Sequence, residues 1–294
     1  GDAQIIVAGG MENMTRAPFL LEKARQGYRL GHGELTDSLI KDGLWDVYNQ
    51  FHMGKAGELC AARYQFSRQQ VDDFALESYS RAREAITAGS FTREIVPVEV
   101  PQKKGAPLIV VDDEEPNRVD LSRLRQLKPV FQDDGVLTVG NSPSCNDGAA
   151  ALVVMAEEEA HRLGLPPMAR IVGYAGAALA PEWFTIAPID AIRRLLKQTE
   201  LTVSDIDLFE INEAFSAVSL AITRELGLDA KKVNVNGGAV ALGHPIGATG
   251  ARILTTLLYA MEERDAHRGI ASLCIGGGEA LALLVERPRK IQHQ

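Results

Sequence analysis

The segment 236–252 has the residue types of a ligand-binding loop, with five glycines, a histidine and a proline between a predicted strand and a predicted helix. Glycines allow close approach of a ligand to the backbone, and the start of a helix offers free N–H groups to an anion or a carbonyl oxygen. Pro245 restricts the backbone of His244 to the extended region and so fixes where its imidazole projects. We therefore expect His244 to be a functional residue rather than a structural histidine. The glycine patterns of nucleotide-binding loops are absent.

Two further residues lie at predicted strand ends. Cys274 precedes a glycine turn at 276–278, whose backbone N–H groups could receive a developing oxyanion. The alternative for Cys274 is a small buried core residue. Asn212 follows the strand 208–211 and is either the N-cap of the next helix or an amide presented at the end of the strand, where open α/β sheets bind ligands.

The composition is that of a folded globular protein of about two domains, with 294 residues, 46% of them hydrophobic and 24% charged. The net charge of −8 and the absence of a basic run argue against nucleic acid as a partner. The sequence shows neither a signal peptide nor an apolar stretch of the roughly 18 residues that a membrane span needs, so we expect a cytoplasmic protein that does not bind membranes. The three cysteines lack C-x-x-C spacing, so we expect reduced thiols and no metal site, with Cys60 and Cys145 serving in packing.

A loose repeat organises the chain. The apolar run 5–10 ends in two glycines, and the similar run 272–278 leads directly into a second strand at 279–286. The first run finds its matching strand only at 148–155, which makes 11–147 an insertion between two adjacent strands. We therefore predict three units: 1–10 with 148–160 as the remnant of an N-terminal half, 11–147 as an inserted loop domain, and 161–294 as a C-terminal half.

The two halves differ in what precedes their glycine turns. Roughly a hundred residues precede the turn of the second half, against four before the first strand, so we expect about a hundred further residues upstream of Gly1. The other elements alternate between helix and strand, which indicates an α/β protein with a sheet between helices. A capping box of Ser67 and Gln70 and a terminal Gly89 mark one helix. The remaining predictions are helices at 188–199, 212–226 and 250–263, and strands at 169–174, 207–211 and 233–235.

Four motifs together resemble the thiolase family, the acetyl-CoA C-acetyltransferases in particular, over essentially the whole chain. They are G-G-M-E at 9–12, N-E-A-F at 212–215, G-G-A-V-A-L-G-H-P-I-G-A-T-G at 237–250 and C-I-G-G-G at 274–278. The resemblance implies a duplicated α/β fold of stacked α/β/α/β/α layers with two mixed sheets and an inserted loop domain, the first half-unit here being incomplete.

The same resemblance implies an acyltransferase. Thiolases carry out the reversible Claisen condensation of two acetyl-CoA molecules to acetoacetyl-CoA and coenzyme A, or the thiolysis of a 3-ketoacyl-CoA. No permanently bound cofactor is implied, since coenzyme A enters as substrate, and a homodimer or homotetramer is expected. In this picture His244 activates the nucleophilic thiol and helps bind the thioester oxygen, and Asn212 holds a water in the same oxyanion hole. Cys274 moves the α-proton, and the backbone of Gly276 contributes to a second oxyanion hole.

Cys274 suits proton transfer if its pKa is lowered, which we expect from the glycine-turn dipoles and a neighbouring imidazole. The resemblance also implies a set of coenzyme A contacts in the loop domain: Leu44, His52, Met53, Arg118, Phe131, Ser142 and Ser144. Pro143 stands where many relatives carry a serine, and bulky Trp183 and Phe184 lie near the expected acyl pocket.

The acyl-accepting cysteine of thiolases lies just upstream of the segment with which this chain begins, and none of the three cysteines here occupies its motif. We therefore expect an N-terminally truncated thiolase that is inactive alone, because covalent acyl transfer needs that thiol. Two alternatives remain. One is a ketoacyl-synthase-like condensing enzyme, against which the pairing of G-H-P with C-I-G-G-G speaks. The other is a non-catalytic thiolase-like acyl-CoA-binding protein or subunit.

Overall fold

The computed structural model describes residues 2–288. Its strands are Ile5–Asn13 (β1), Phe19–Leu20 (β2), Thr36–Asp37 (β3), Trp45–Asp46 (β4), Phe51–His52 (β5), Val98–Val100 (β6), Leu108–Val110 (β7), Asp147–Met155 (β8), Arg170–Ala178 (β9), Leu208–Ile211 (β10), Arg268–Ile275 (β11) and Glu279–Glu286 (β12). Its α-helices are Met53–Arg63 (α1), Arg68–Ala88 (α2), Glu115–Arg118 (α3), Glu157–Leu163 (α4), Ala187–Gln198 (α5), Ser216–Leu226 (α6), Ala239–Leu242 (α7) and Thr249–Glu263 (α8).

A four-stranded mixed sheet forms the centre of the molecule, in the order β10, β11, β12, β9. β10 and β11 run parallel, whereas β11, β12 and β9 are joined antiparallel. Helix α5 packs on one side of this sheet, and buried residues of α8 pack with β10 and β11 in a separate cluster. The sheet therefore lies between helices, as the alternation of elements predicts.

The antiparallel ribbon of β1 and β8 packs against α8, so α8 lies between this ribbon and the central sheet. Its register pairs Ile5 with Met155 and Asn13 with Asp147. The pairing of the first apolar run with 148–155, predicted from the repeat, is thus observed, and the hairpin of β11 and β12 is the second copy. The boundaries of the three units stay a prediction.

Helix α2 begins and ends where the sequence predicts. Both hydrogen bonds of the capping box between Ser67 and Gln70 are present, and Gly89 closes the helix with φ 75°. The buried face of α2 carries Val71 and Ala75, which are fully buried. Around α1 and α2, the segment between β1 and β8 is built of short two-stranded pairings: β2 with β3, β4 with β5, and β6 with β7.

Two sequence predictions in the second half are wrong. The helix expected from Asn212 begins only at Ser216, and Asn212 is not its N-cap. Instead the backbone N–H of Asn212 donates to Ser272 O at 2.9 Å, which continues the pairing of β10 with β11. The strand expected at 233–235 is reduced to a single bridge between Val233 and Phe209.

Asn234 explains the loss of that strand. Its backbone adopts the left-handed conformation, with φ 47°, and its side-chain amide bonds both the N–H and the C=O of Ile211 at 2.8 Å. The side chain thereby takes over the pairing that a regular strand backbone would make, as asparagine does in turns.

Within residues 2–288, no helix combines the length and apolarity needed to cross a membrane. The same residues contain no group of three or more histidine, cysteine or acidic side chains placed to hold a metal ion.

Candidate active site

Asn212 and Cys274 lie at the same edge of the central sheet. Asn212 directly follows β10, and Cys274 is the penultimate residue of the neighbouring parallel strand β11. Parallel strands end at a common edge, which is where open α/β sheets bind ligands. The hydrogen bond from Asn212 to Ser272, two residues before Cys274, fixes this arrangement. The structure therefore brings together two of the predicted catalytic residues on adjacent strands.

His244 completes the cluster through its ring nitrogens. Its Nε2 lies 3.2 Å from Nδ2 of Asn212, and its Nδ1 lies 2.7 Å from Oγ1 of Thr249. Burial lowers the pKa of His244 to about 4, and the charge of Arg252 acts in the same direction. The imidazole is therefore neutral at neutral pH and able to take up a proton.

Asn212 has one polar atom to spare. The residue is only 1% exposed, its Nδ2 faces His244, and its Oδ1 is buried without a hydrogen-bond partner among residues 2–288. Buried polar atoms are nearly always hydrogen-bonded, so an orphan acceptor at a strand end indicates a site for water or ligand.

The loop 141–148 holds the backbone of His244. The N–H of His244 donates to Ser144 O and to Oδ1 of Asn146, both at 3.3 Å. The hydroxyl of Ser144 also donates to Oδ1 of Asn146, at 2.9 Å. Ser144, predicted as a coenzyme A contact, thus bonds within this loop and to the residue that carries the imidazole. A Cβ on Gly148 would meet Pro245 at 2.8 Å, so the loop lies directly against the G-H-P segment.

The G-G-M-E motif supports the same segment from the other side. A carboxylate oxygen of Glu12, in β1, accepts a hydrogen bond from Gly247 N at 3.1 Å. Gly10 lies so close to Gly247 that any Cβ there would collide with its carbonyl oxygen. Two distant sequence motifs therefore form one packed unit around His244.

Cys274 differs from expectation in its electrostatics. The side chain is 8% exposed, and burial raises the pKa of its thiol to about 12. The expected lowering toward neutrality is wrong, because burial outweighs the backbone hydrogen bond that favours the thiolate. Beyond Cys274, Gly277 and Gly278 adopt positive φ angles of 93° and 103°, as the predicted glycine turn requires.

Three of the predicted coenzyme A contacts pack together beside this turn, and a fourth, Leu44, adjoins in sequence a residue that pairs with one of them. The rings of His52 and Phe131 stack with centroids 5.0 Å apart, and Leu44 precedes Trp45, which pairs with His52 between β4 and β5. The methyl group of Met53 lies against Gly276, where it would collide with an added Cβ. Phe131 also meets Phe215 of the N-E-A-F motif edge-on, at 5.8 Å.

His52 also caps a helix. Its Nδ1 accepts a hydrogen bond from Gly54 N at 3.0 Å at the start of α1, and burial lowers its pKa. His52 is therefore a neutral ring whose Nε2 carries the proton.

Two other predicted contacts stand apart from this cluster. Ser142 is buried, and its hydroxyl has no partner within the described residues. Arg118 is exposed in α3 and pairs with Glu114 at 2.6 Å. Near the expected acyl pocket, Phe184 belongs to the same buried core as Cys274, whereas Trp183 lies under the guanidinium of Arg63, at 4.7 Å.

Glu213 is a site residue that the sequence analysis did not single out. Its carboxylate is 1% exposed and accepts three hydrogen bonds, from Asn234 at 2.9 Å, Ser78 at 2.8 Å and Val240 N at 3.0 Å. It thereby joins N-E-A-F to α2 and to the glycine-rich segment. Its place after Asn212 was a signal, since an ionisable residue next to a buried strand needs partners.

Thr249 was the second residue missed. The hydroxyl that contacts His244 comes from the first residue of α8, five residues along the chain. A threonine at the start of a helix is typical of a capping residue, so its type alone does not indicate a contact with His244.

Comparison with known proteins identifies the family that the chain resembles. The model of the thiolase N-terminal domain matches residues 1–158, and that of the thiolase C-terminal domain matches residues 165–287. Acetyl-CoA acetyltransferases of Pseudomonas aeruginosa and Cupriavidus necator are each 51% identical over 288 residues, which are 98% of this chain and 73% of those proteins.

Solved structures show the same similarity. The crystal structure of the Bacillus anthracis acetyl-CoA acetyltransferase superposes with a TM-score of 0.94 at 42% identity, and that of human mitochondrial 3-ketoacyl-CoA thiolase with a TM-score of 0.93 at 38% identity. Each match covers 98% of this chain and 73% of the solved chain.

Proposed function

The chain belongs to the thiolase family and has its fold, and we propose that its site serves acyl transfer between coenzyme A thioesters. The substrates are acetyl-CoA and acetoacetyl-CoA, in the reversible Claisen condensation or the thiolysis of a 3-ketoacyl-CoA. The names of the relatives, acetyl-CoA acetyltransferase for the most part, support this choice. Asn212 and Cys274, from two of the motifs, lie at one edge of the central sheet. His244, from a third motif, lies in the loop beside this edge.

The observation that carries the proposal is the contact of His244 with Asn212, whose Oδ1 is left without a partner in the described part of the chain. A neutral imidazole takes the proton of a thiol and, once charged, donates Nε2–H to the thioester oxygen as negative charge develops there. A water held by Oδ1 of Asn212 would donate a second hydrogen bond. The low pKa of His244 keeps the ring unprotonated at neutral pH.

Cys274 supplies the second proton transfer. Because its pKa is raised to about 12, the thiol is protonated at neutral pH. In the thiolysis direction it gives this proton to the α-carbon of the departing acetyl-CoA carbanion, and in condensation the thiolate takes it back. The backbone of Gly276, in the turn that follows, is placed to help bind the second oxyanion.

The coenzyme A arm is proposed to lie along Leu44, His52, Met53 and Phe131, and Ser142 offers it a buried hydroxyl without a partner among the described residues. Arg118 is proposed as a contact for the nucleotide end, which would require it to leave Glu114. Ser144 supports His244 instead.

We further propose that these 294 residues do not complete an acyl-transfer cycle by themselves. Cys60 is fully buried, and burial raises its pKa to about 12. Cys145 is exposed, and its pKa is also raised, chiefly by partial burial of the thiol. Neither ring nitrogen of His244 bonds to a cysteine within residues 2–288. A nucleophilic thiol needs a lowered pKa or a neighbouring base. None of the three cysteines, all of them in the described part of the chain, has a lowered pKa, and none is hydrogen-bonded to His244.

Two assays test these proposals. Acetoacetyl-CoA should bind the purified chain more tightly than a long-chain 3-ketoacyl-CoA, and Phe131→Ala should weaken binding about tenfold, or 1.4 kcal/mol, while exposed Phe19→Ala should not. Equal affinity for the two chain lengths would contradict the short-chain assignment. The chain should not cleave acetoacetyl-CoA. Measurable turnover would contradict the proposal that these residues lack the nucleophilic thiol.

The alternatives differ in what they predict. Matches to both thiolase domain models favour a thiolase over a ketoacyl-synthase-like enzyme. A non-catalytic acyl-CoA-binding protein would bind the thioester without needing His244 or Cys274, so binding that survives unchanged in both His244→Ala and Cys274→Ala would favour it. A homodimer or homotetramer and a cytoplasmic location stay predictions.

A further inference from the structure

The buried hydroxyl of Thr249 has two neighbours. The residue is 1% exposed, and its Oγ1 lies 2.7 Å from Nδ1 of His244 and 3.0 Å from the carbonyl oxygen of Pro245. A hydroxyl has one proton to donate and lone pairs with which to accept. A carbonyl oxygen can only accept, so the bond to Pro245 uses the proton of Thr249. The bond to His244 then requires Nδ1–H to donate to the threonine oxygen.

The other ring nitrogen agrees with this assignment. Nε2 of His244 faces Nδ2 of Asn212, and an amide nitrogen can only donate. A proton on Nε2 would place two donors opposite each other, whereas an unprotonated Nε2 accepts a hydrogen bond from the amide. The tautomer with its proton on Nδ1 is the neutral form that satisfies the contacts of both ring nitrogens.

We propose that Thr249 is a positioning residue that, with Asn212, holds neutral His244 with its proton on Nδ1 and its lone pair on Nε2. The catalytic role of this tautomer rests on the proposed function, in which Nε2 receives a proton from a thiol. The tautomer itself does not depend on it. A second shell that fixes which histidine nitrogen is free is common at catalytic sites.

The contribution of Thr249 follows from the chemistry of imidazole. A neutral histidine side chain in water prefers the proton on Nε2, the opposite of the arrangement here. Removing the hydroxyl takes away the acceptor for Nδ1–H, and the amide of Asn212 can then turn its oxygen toward Nε2–H. The ring therefore returns to its intrinsic preference, and Nε2 no longer offers a lone pair. A threonine that only stabilised the helix would leave the tautomer unchanged.

The experiment is two-bond 1H–15N correlation NMR at about pH 7 on the 294-residue chain with 15N-labelled histidines, where His244→Gln identifies the signals of His244 among the six histidines. The unaltered chain should show a protonated Nδ1 and an unprotonated Nε2. Thr249→Val keeps the shape of the side chain and should move the majority of molecules to the Nε2–H tautomer. Thr249→Ser should restore the original pattern.

Thr255→Val is the matched control, because Thr255 donates to Ala251 O at 2.9 Å in the same helix, just as Thr249 donates to Pro245. Its tautomer pattern should equal that of the unaltered chain. Should Thr249→Val fold poorly, Thr249→Ala gives the same readout. A protonated Nε2 in the unaltered chain, or an unchanged Nδ1–H tautomer in the folded variants, overturns the proposal. Failure of the proposed function would appear instead as absent thioester binding with the tautomer as stated.

Discussion

The methyl group of Met53 lies so close to Gly276 that a Cβ added to this glycine would collide with it. This contact places the first residue of α1 against the glycine turn after β11, which also carries Cys274. Since the adjacent His52 stacks on Phe131, the proposed coenzyme A contacts and the proposed proton-transfer residues form one packed assembly rather than two independent patches.

Gly276→Ala should therefore be destabilising. The added methyl collides with the end of a flexible side chain, so Met53 must move and the free energy of unfolding should fall by about 1–2 kcal/mol. Met53→Ala removes the obstacle, and the double variant should be more stable than the sum of the single effects predicts. Urea unfolding of the four proteins measures this coupling. Strict additivity would show that the two residues do not meet.

Glu213→Gln should destabilise the chain by about 2–3 kcal/mol, since it places an amide where the carboxylate accepts three hydrogen bonds. Burial raises the pKa of Glu213, but its hydrogen bonds oppose this shift. Glu225→Gln removes an exposed carboxylate paired with Arg193 and should cost less than about 1 kcal/mol in the same urea experiment. If the two substitutions cost the same, the carboxyl of Glu213 is protonated and the three-donor arrangement is wrong.

Glu94→Gln should flatten the pH dependence of stability. Burial raises the pKa of Glu94 to about 7, so the folded chain binds a proton that the unfolded chain releases near the ordinary pKa. Stability from this group is therefore present at low pH and lost as pH rises toward 7. The substitution should remove a slope of up to about 1.4 kcal/mol per pH unit between about pH 5 and pH 7.

Unfolding by urea at several pH values measures that slope, with Glu99→Gln in exposed β6 as the control for the loss of one carboxyl. An identical slope in Glu94→Gln and in the unaltered chain would contradict the buried environment of Glu94. Glu210 adds to the same trend, since burial raises its pKa to about 8 despite its ion pair with Arg252 at 3.1 Å. A residual slope in Glu94→Gln is therefore expected.

Asn212→Asp should raise the pKa of His244. The new carboxylate would lie beside Nε2, where the amide now sits at 3.2 Å, and an adjacent negative charge favours the imidazolium. We expect the pKa to move from about 4 to at least the ordinary value of about 6.5. NMR titration of His244 measures the shift. A pKa that stays near 4 would mean that the two side chains are not in contact in solution.

Several features of the fold were predictable from local signals. The capping box and the terminal glycine satisfy backbone groups at the two ends of α2 itself. They therefore define the ends of the helix without contacts from the rest of the chain. The pairing of β1 with β8 followed from matching apolar runs that end in glycines. The helix signals are local, whereas the strand pairing required a comparison of two distant parts of the chain.

The failures have a common cause in tertiary contacts. Asn212 has the residue type of a helix cap, but the hydrogen bond from its backbone to Ser272 extends the strand instead. The pKa of Cys274 was expected to fall because of nearby dipoles, whereas the depth of its burial, invisible in the sequence, dominates. Motif resemblance points to His244, Asn212 and Cys274, but it could not show that Ser144 bonds toward His244 or that Thr249 contacts its ring.

The central claim is that a coenzyme A thioester binds beside Nε2 of His244. Titration of the 294-residue chain with acetyl-CoA, followed through the 15N signals of His244, tests it directly. The account predicts saturable movement of the Nε2 signal, with Nδ1 still protonated and bonded to Thr249. Saturable binding that leaves the Nε2 signal unchanged, or no binding at millimolar acetyl-CoA, would contradict it.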